Sequence, residues 1–193
     1  MLCVDVSGKG VPAALMMAHL QALVHGRLLA LDPTKERPAP DAFVTALNGD
    51  LLGRFGNGRY ATMFYGEFDS RSRLLRYINA GHCPALLISE RGEVTKLSEG
   101  DVPIGLFPDV RYQEVRVALR KGCTVVVYTD GVTDALNSQG VEFGEERLIR
   151  FCESLPKGAN AREICTLLSS KVVEWSAGVE QFDDTTVLVL TVD

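Results

Sequence analysis

Asp5-Val6-Ser7-Gly8-Lys9-Gly10-Val11-Pro12 lies where two patterns meet. Before it, Leu2-Cys3-Val4 is a short apolar run that reads as a strand. After it, Ala13, Met16, Met17, Leu20, Val24, Leu28 and Leu31 recur at helical spacing. Glycine permits the tight turn between them, and proline is well tolerated in a first helical turn. The spacing predicts a helix from about Val11 to Leu31. Its opposite side is also fairly apolar, so burial is expected over much of its surface. The Asp5 carboxylate is thereby expected at the rim of a rigid core.

Outward from this stretch, Asp32-Pro33 reads as the stop of the first helix, and Pro38 and Pro40 keep the next stretch extended. A second helix is expected from about Asp41, its N-cap, to Arg54, with Phe43, Val44, Leu47 and Leu51 on one face. Tyr60–Phe68 and Leu74–Asn79 read as a hairpin, and Ala85–Ser89 and Glu93–Leu97 as two further strands. Gly100–Pro108 reads as a shaped loop, Tyr112–Leu119 alternates in part, and Cys123–Tyr128 reads as a fully buried strand. Glu145–Glu153 and a helix capped by Asn160 and running through Trp175 follow, then a strand over Thr186–Val192. This order argues for an α+β fold of largely antiparallel sheet, with helices covering two packed sheets. A single domain over residues 1–193 is expected. A strand bearing such a motif belongs inside a sheet, so the chain is expected to lack an N-terminal piece of that domain.

Hydrophobic residues make up 46% and charged residues 23% of the 193, which suits a globular protein. The formal charge of −5 argues against nucleic acid or an anionic membrane as the main partner. No apolar run approaches the roughly 20 residues that span a bilayer, and no signal peptide is expected before the first strand. Cys3, Cys83, Cys123, Cys152 and Cys165 are odd in number and widely spaced, which reads as reduced thiols in a cytoplasmic protein. His19, His25 and His82 lack zinc spacing.

Three segments place carboxylates at strand ends: Asp5, Asp130 after Cys123–Tyr128, and Asp183-Asp184 before Thr186–Val192. If the closing strand runs antiparallel to the other two, all three ends share one rim. Clustered carboxylates resist ionising together, and a divalent cation removes that penalty. Oxygen-only ligands favour Mg²⁺ or Mn²⁺, and such metals serve phosphate-ester hydrolysis by activating water and neutralising phosphoryl charge. Each aspartate taken alone also fits a turn or a loop cap.

The full strings add a resemblance. Asp5-Val6-Ser7-Gly8-Lys9-Gly10-Val11-Pro12-Ala13-Ala14-Leu15 closely resembles the first motif of bacterial SpoIIE/RsbU-type serine phosphatases, members of the metal-dependent PPM (protein phosphatase 2C-like) superfamily. Tyr60–Gly66, Asn79-Ala80-Gly81-His82-Cys83-Pro84, Val102–Leu106, Tyr128–Ala135 and Asp183–Val187 resemble later motifs in the same order. The resemblance implies an α-β-β-α sandwich with a dinuclear Mn²⁺ or Mg²⁺ centre. It implies that Asp5 bridges both metals, that the Val6 carbonyl is a ligand, that Asp130 binds the second metal, and that Asp183, three residues before Thr186, is the last ligand in preference to Asp184. Gly131 aligns with a glycine beside the metal-binding aspartate. The family's upstream Gly-Gly-Asp-x-x-Asp strand has no counterpart here, which leaves the first metal site half built.

The implied substrate is a phosphoserine on an anti-sigma-factor antagonist or similar regulator, and the implied neighbours are upstream sensor or receiver modules; a homodimer is left open. The competing reading is a non-catalytic binding module of the same fold. Gly8-Lys9-Gly10 does not meet the P-loop pattern, and Ser7 is not in a Gly-x-Ser-x-Gly elbow. Lys9 reads as a solvated turn residue. His82 is competent as a general acid, but is expected instead to hydrogen-bond its own Asn79–Pro84 loop. Trp175 and the Met16, Met17, Leu20 stripe read as core.

Overall fold

The computed structural model describes residues 1–29, 38–54, 58–181 and 183–193. Its elements are β1 (Leu2–Val6), α1 (Val11–Leu29), α2 (Pro40–Leu51), β2 (Ala61–Asp69), β3 (Leu74–Ala80), β4 (Ala85–Ile88), β5 (Val94–Leu97), β6 (Val115–Ala118), β7 (Thr124–Tyr128), α3 (Asp130–Thr133), α4 (Gly144–Glu153), α5 (Ala161–Trp175) and β8 (Val187–Thr191). They form two four-stranded, mainly antiparallel sheets with five helices, an α+β fold as expected. The chain divides into two compact units, Met1–His82 with Glu99–Val117, and Cys83–Ser98 with Ala118–Asp193.

The first unit holds the sheet β1-β2-β3-β6. Its hairpin pairs Phe64 with Asn79 through Asp69 with Leu74, as two segments rich in aromatic and apolar residues on either side of a turn predict. Asp69 closes the turn by accepting from the Arg71 amide (2.9 Å) and the Ser72 hydroxyl (2.6 Å). Met16, Leu20 and Val24 of α1 and Phe43, Val44, Leu47 and Leu51 of α2 cover this sheet, packing with Met63, Tyr65, Ile78 and Ile104.

Three expectations fail here. Only Met16, Leu20 and Val24 of α1 are buried, while Val11, Leu15 and Leu29 are 73%, 60% and 74% exposed. One stripe at spacing of four meets the sheet, and an apolar opposite side does not by itself create a second contact. Nor is Asp41 the cap of α2. The helix starts at Pro40, whose fixed φ and missing N–H suit its first turn, and Ala39 is the N-cap without a side-chain bond. The helix ends at Leu51 rather than Arg54. The expected end of the first helix at Leu31 and its stop at Asp32-Pro33 lie outside the described residues.

The second unit holds the sheet β5-β4-β7-β8. All five residues of β7 are buried, which explains why its sequence does not alternate. Leu86, Val126 and Tyr128 pack against Leu148 and Cys152 of α4 and Ile164, Leu168 and Val172 of α5. Asn160 caps α5 reciprocally with Glu163, amide to side chain in both directions at 2.9 and 3.0 Å. Trp175 packs edge-on to Phe143 and beneath the Arg147 guanidinium.

Candidate metal centre

Asp5 lies inside β1 rather than beyond it, directly opposite Thr62 of β2. The ladder continues one step past Val6, where the Ser7 amide donates to the Tyr60 carbonyl (2.9 Å) and the Tyr60 amide donates back to Ser7 Oγ (3.0 Å). Ser7 is therefore a backbone clamp. Beyond it Gly8 and Gly10 take φ of +86° and +76°, a conformation that costs glycine little. The first helical bond of α1 runs from the Ala14 amide to the Gly10 carbonyl. Thr62 Oγ1 lies 2.9 Å from His82 Nδ1, and His82 is held by its own loop: its amide donates to Asn79 Oδ1 (2.7 Å), and Asn79 Nδ2 donates to its carbonyl (3.0 Å).

In the second unit β7 and β8 run antiparallel, with Tyr128 opposite Val187. The residues just after Tyr128 thus meet those just before Val187. The buried Thr129 fastens this junction: its amide donates to the Thr186 carbonyl (3.1 Å), its Oγ1 donates to the Asp184 carbonyl (3.0 Å), and the Thr186 amide donates to that Oγ1 (2.9 Å). A methyl group on Gly131 would collide with the Asp184 carbonyl, so only glycine fits. Thr185 Oγ1 closes the junction on the Gly131 carbonyl at 3.2 Å.

Asp130 opens the single-turn helix α3 from this junction. Its carboxyl is raised above the usual carboxylate range, first by burial and then by the charges of Asp134 and Asp183. The structure thus makes Asp130 and Asp183 electrostatic neighbours. The Asp183 carboxylate also accepts from the Asp184 amide (2.8 Å), and Asp184 contributes its backbone to the clamp. A groove of about 300 Å³ opens alongside, lined by Asp134, Leu136, Val172, Val173, Glu180 and Asp183 among others.

Asp5 and Val6 belong to the first unit, and Asp130, Gly131, Asp183 and Asp184 to the second. Among the described residues no group of three or more His, Cys, Asp or Glu side chains is drawn together to hold a metal. The oxygen-only chemistry of the Asp130–Asp183 neighbourhood, and mutual repulsion that a cation would relieve, nevertheless fit a hard divalent ion. Thr129, Thr185 and Asp134 escaped sequence reasoning. Only the period of four from Asp130 to Asp134, one turn of helix, could have signalled the last of them. No helix of the described residues is long and apolar enough to cross a membrane.

The family described as Stage II sporulation protein E (SpoIIE) matches residues 1–193. Protein IcfG of Synechocystis is 27% identical over 96% of the chain, and phosphoserine phosphatase RsbP of Bacillus subtilis is 31% identical over 69% of it. The aligned region spans 32% of the length of each of these relatives. Among solved structures, the SiaA PP2C domain of Pseudomonas aeruginosa superposes with a TM-score of 0.80 at 24% identity, covering all of this chain and 75% of that one. RsbX in complex with magnesium superposes with a TM-score of 0.65 at 15% identity, covering 97% of this chain and 79% of that one. These two likenesses show a shared PP2C-type fold.

Proposed function

The chain belongs to the SpoIIE family, and from that premise we propose that residues 1–193 are one metal-dependent protein phosphatase domain, hydrolysing phosphoserine on a bacterial regulatory protein of the anti-sigma-factor antagonist type. The observation that carries the proposal is the junction of Thr129-Asp130-Gly131 with Asp183–Thr186, where backbone clamps hold two acids that repel each other. In the second unit Asp130 and Asp183 would hold Mn²⁺ or Mg²⁺, with Gly131 and Asp184 setting the backbone around them; in the first unit Asp5 and the Val6 carbonyl are the proposed ligands. A relative is named a phosphoserine phosphatase, and a fold neighbour was solved with magnesium. When bound, the ion supplies activation of water and neutralises the phosphoryl charge. The chain's own residues keep the acids in place, and the groove beside Asp183 offers an apolar wall for residues flanking the phosphoserine. A cytoplasmic setting, with sensor or receiver modules upstream, completes the reading.

The test is twofold. Mn²⁺ at a hundredfold excess over its dissociation constant should stabilise the chain by about 2.7 kcal/mol if the unfolded chain does not bind it. Mn²⁺ should also be required for release of phosphate from a phosphoserine peptide. An unchanged melting temperature together with no release would end the proposal.

A further inference from the structure

Arg59 is half-buried, and among the described residues its guanidinium has neither an ion pair nor a hydrogen bond. The other half-buried arginines, Arg27 and Arg76, pair with carboxylates, Asp50 in the first case and Glu67 and Glu114 in the second. The remaining arginines among the described residues are exposed. Partial burial of the stem with an open, unpartnered head leaves the guanidinium's donors available to an anion. Its position is set by the clamp that fixes Asp5. Tyr60 is locked to Ser7, so the next residue, Arg59, lies across from Gly8. Its Nη1 comes within 3.7 Å of where a Cβ on Gly8 would stand, and the absent side chain leaves the guanidinium open over the turn. Gly8, Lys9 and Gly10 are all solvent-exposed, so a ligand can reach it. The turn leads into the nineteen-residue α1, whose first turn carries no acid and whose free amides favour negative charge.

Resting on the phosphatase reading, we infer that Arg59 is a phosphate-binding residue of this chain, taking two non-bridging oxygens of a phosphate monoester or of released inorganic phosphate on its planar fork. Arginine suits this because its donors match two such oxygens at once, whereas lysine offers a point charge. The residue adds no step to the reaction; it fixes the phosphoryl group beside the turn that follows Asp5.

The experiment titrates the 193-residue chain with inorganic phosphate by calorimetry, with and without Mg²⁺, and separately measures hydrolysis of a phosphoserine peptide. R59A should weaken phosphate binding roughly ten- to a hundredfold, as expected for loss of a charge-assisted pair. R59K should fall between, and R111A, at an exposed arginine, should match the wild type. The midpoint for Mg²⁺ should not move. Equal phosphate affinity in wild type and R59A would overturn the inference, as would absence of phosphate binding by the wild type. If R59A does not fold, R59K decides: affinity equal to the wild type's would overturn the fork-specific contact. Phosphate binding that depends on Arg59 in a chain that hydrolyses nothing would leave this inference standing and remove the phosphatase reading. Hydrolysis indifferent to R59A and R59K would do the reverse.

Discussion

Asp5 and Asp130 are held in different ways, one in each unit. Asp5 sits within a ladder: its neighbours in β1 are paired residue by residue with β2, and Ser7 extends the register by one more step. Asp130 stands outside any ladder, on the first residue of a four-residue helix, and is placed by contacts to a segment more than fifty residues away. The ladder is redundant, since each pair supports the next. The junction is not: it depends on two threonine hydroxyls, one backbone bond and one missing side chain. Regular pairing tolerates the loss of a bond, whereas a junction built on close backbone approach does not.

Substitutions can break or sharpen this contrast. The largest effect is expected for Asp130→Asn, which should reduce Mn²⁺-dependent hydrolysis of p-nitrophenyl phosphate by at least about a hundredfold, because the ion's contribution is worth several kcal/mol. Without metal the variant should be no less stable than wild type, since it removes a charge repelled by Asp134 and Asp183. A melting temperature well below wild type's would show that Asp130 has a structural task instead. Gly131→Ala forces a methyl group into the Asp184 carbonyl and should cost about 3 kcal/mol in denaturant unfolding. A cost near zero would mean that the two segments do not approach so closely. Thr129→Val keeps the shape but strands the Asp184 carbonyl and the Thr186 amide, for about 2 kcal/mol and a weaker Mn²⁺ midpoint. Ser7→Ala strands only the Tyr60 amide beside an intact ladder and should cost about 1 kcal/mol. A Ser7→Ala loss equal to that of Thr129→Val would erase the distinction between the two units.

The same contrast explains what could be read from sequence. The β2–β3 hairpin, β7 and α5 are local: aromatic and apolar segments around a turn, an unbroken apolar run, and a capping asparagine declare themselves within a few residues. Asp5, Asp130 and Asp183 were singled out because acids beside strands are conspicuous, and the collinear motifs gave them roles. Thr129 was invisible because a threonine before Asp-Gly looks like any turn residue until its partner 57 residues on is known. Asp41 misled because it is an excellent cap by type, while the neighbouring Pro40 fixed the start. The start of α1 at Val11 was legible but its burial was not, because composition records how apolar a face is and not what lies against it.

Thr129 also has a bearing on the order of events during synthesis. Its bonds to Thr186 close a span of 57 residues, so β7 leaves the ribosome well before the segment that completes its aspartate junction can be made. Closing a loop of that size carries an entropic cost that only the finished β7–β8 pairing offsets. In a nascent chain, Asp130 would therefore acquire its acidic neighbour late, and any pause in translation between the two strands would leave β7 without its β8 partner.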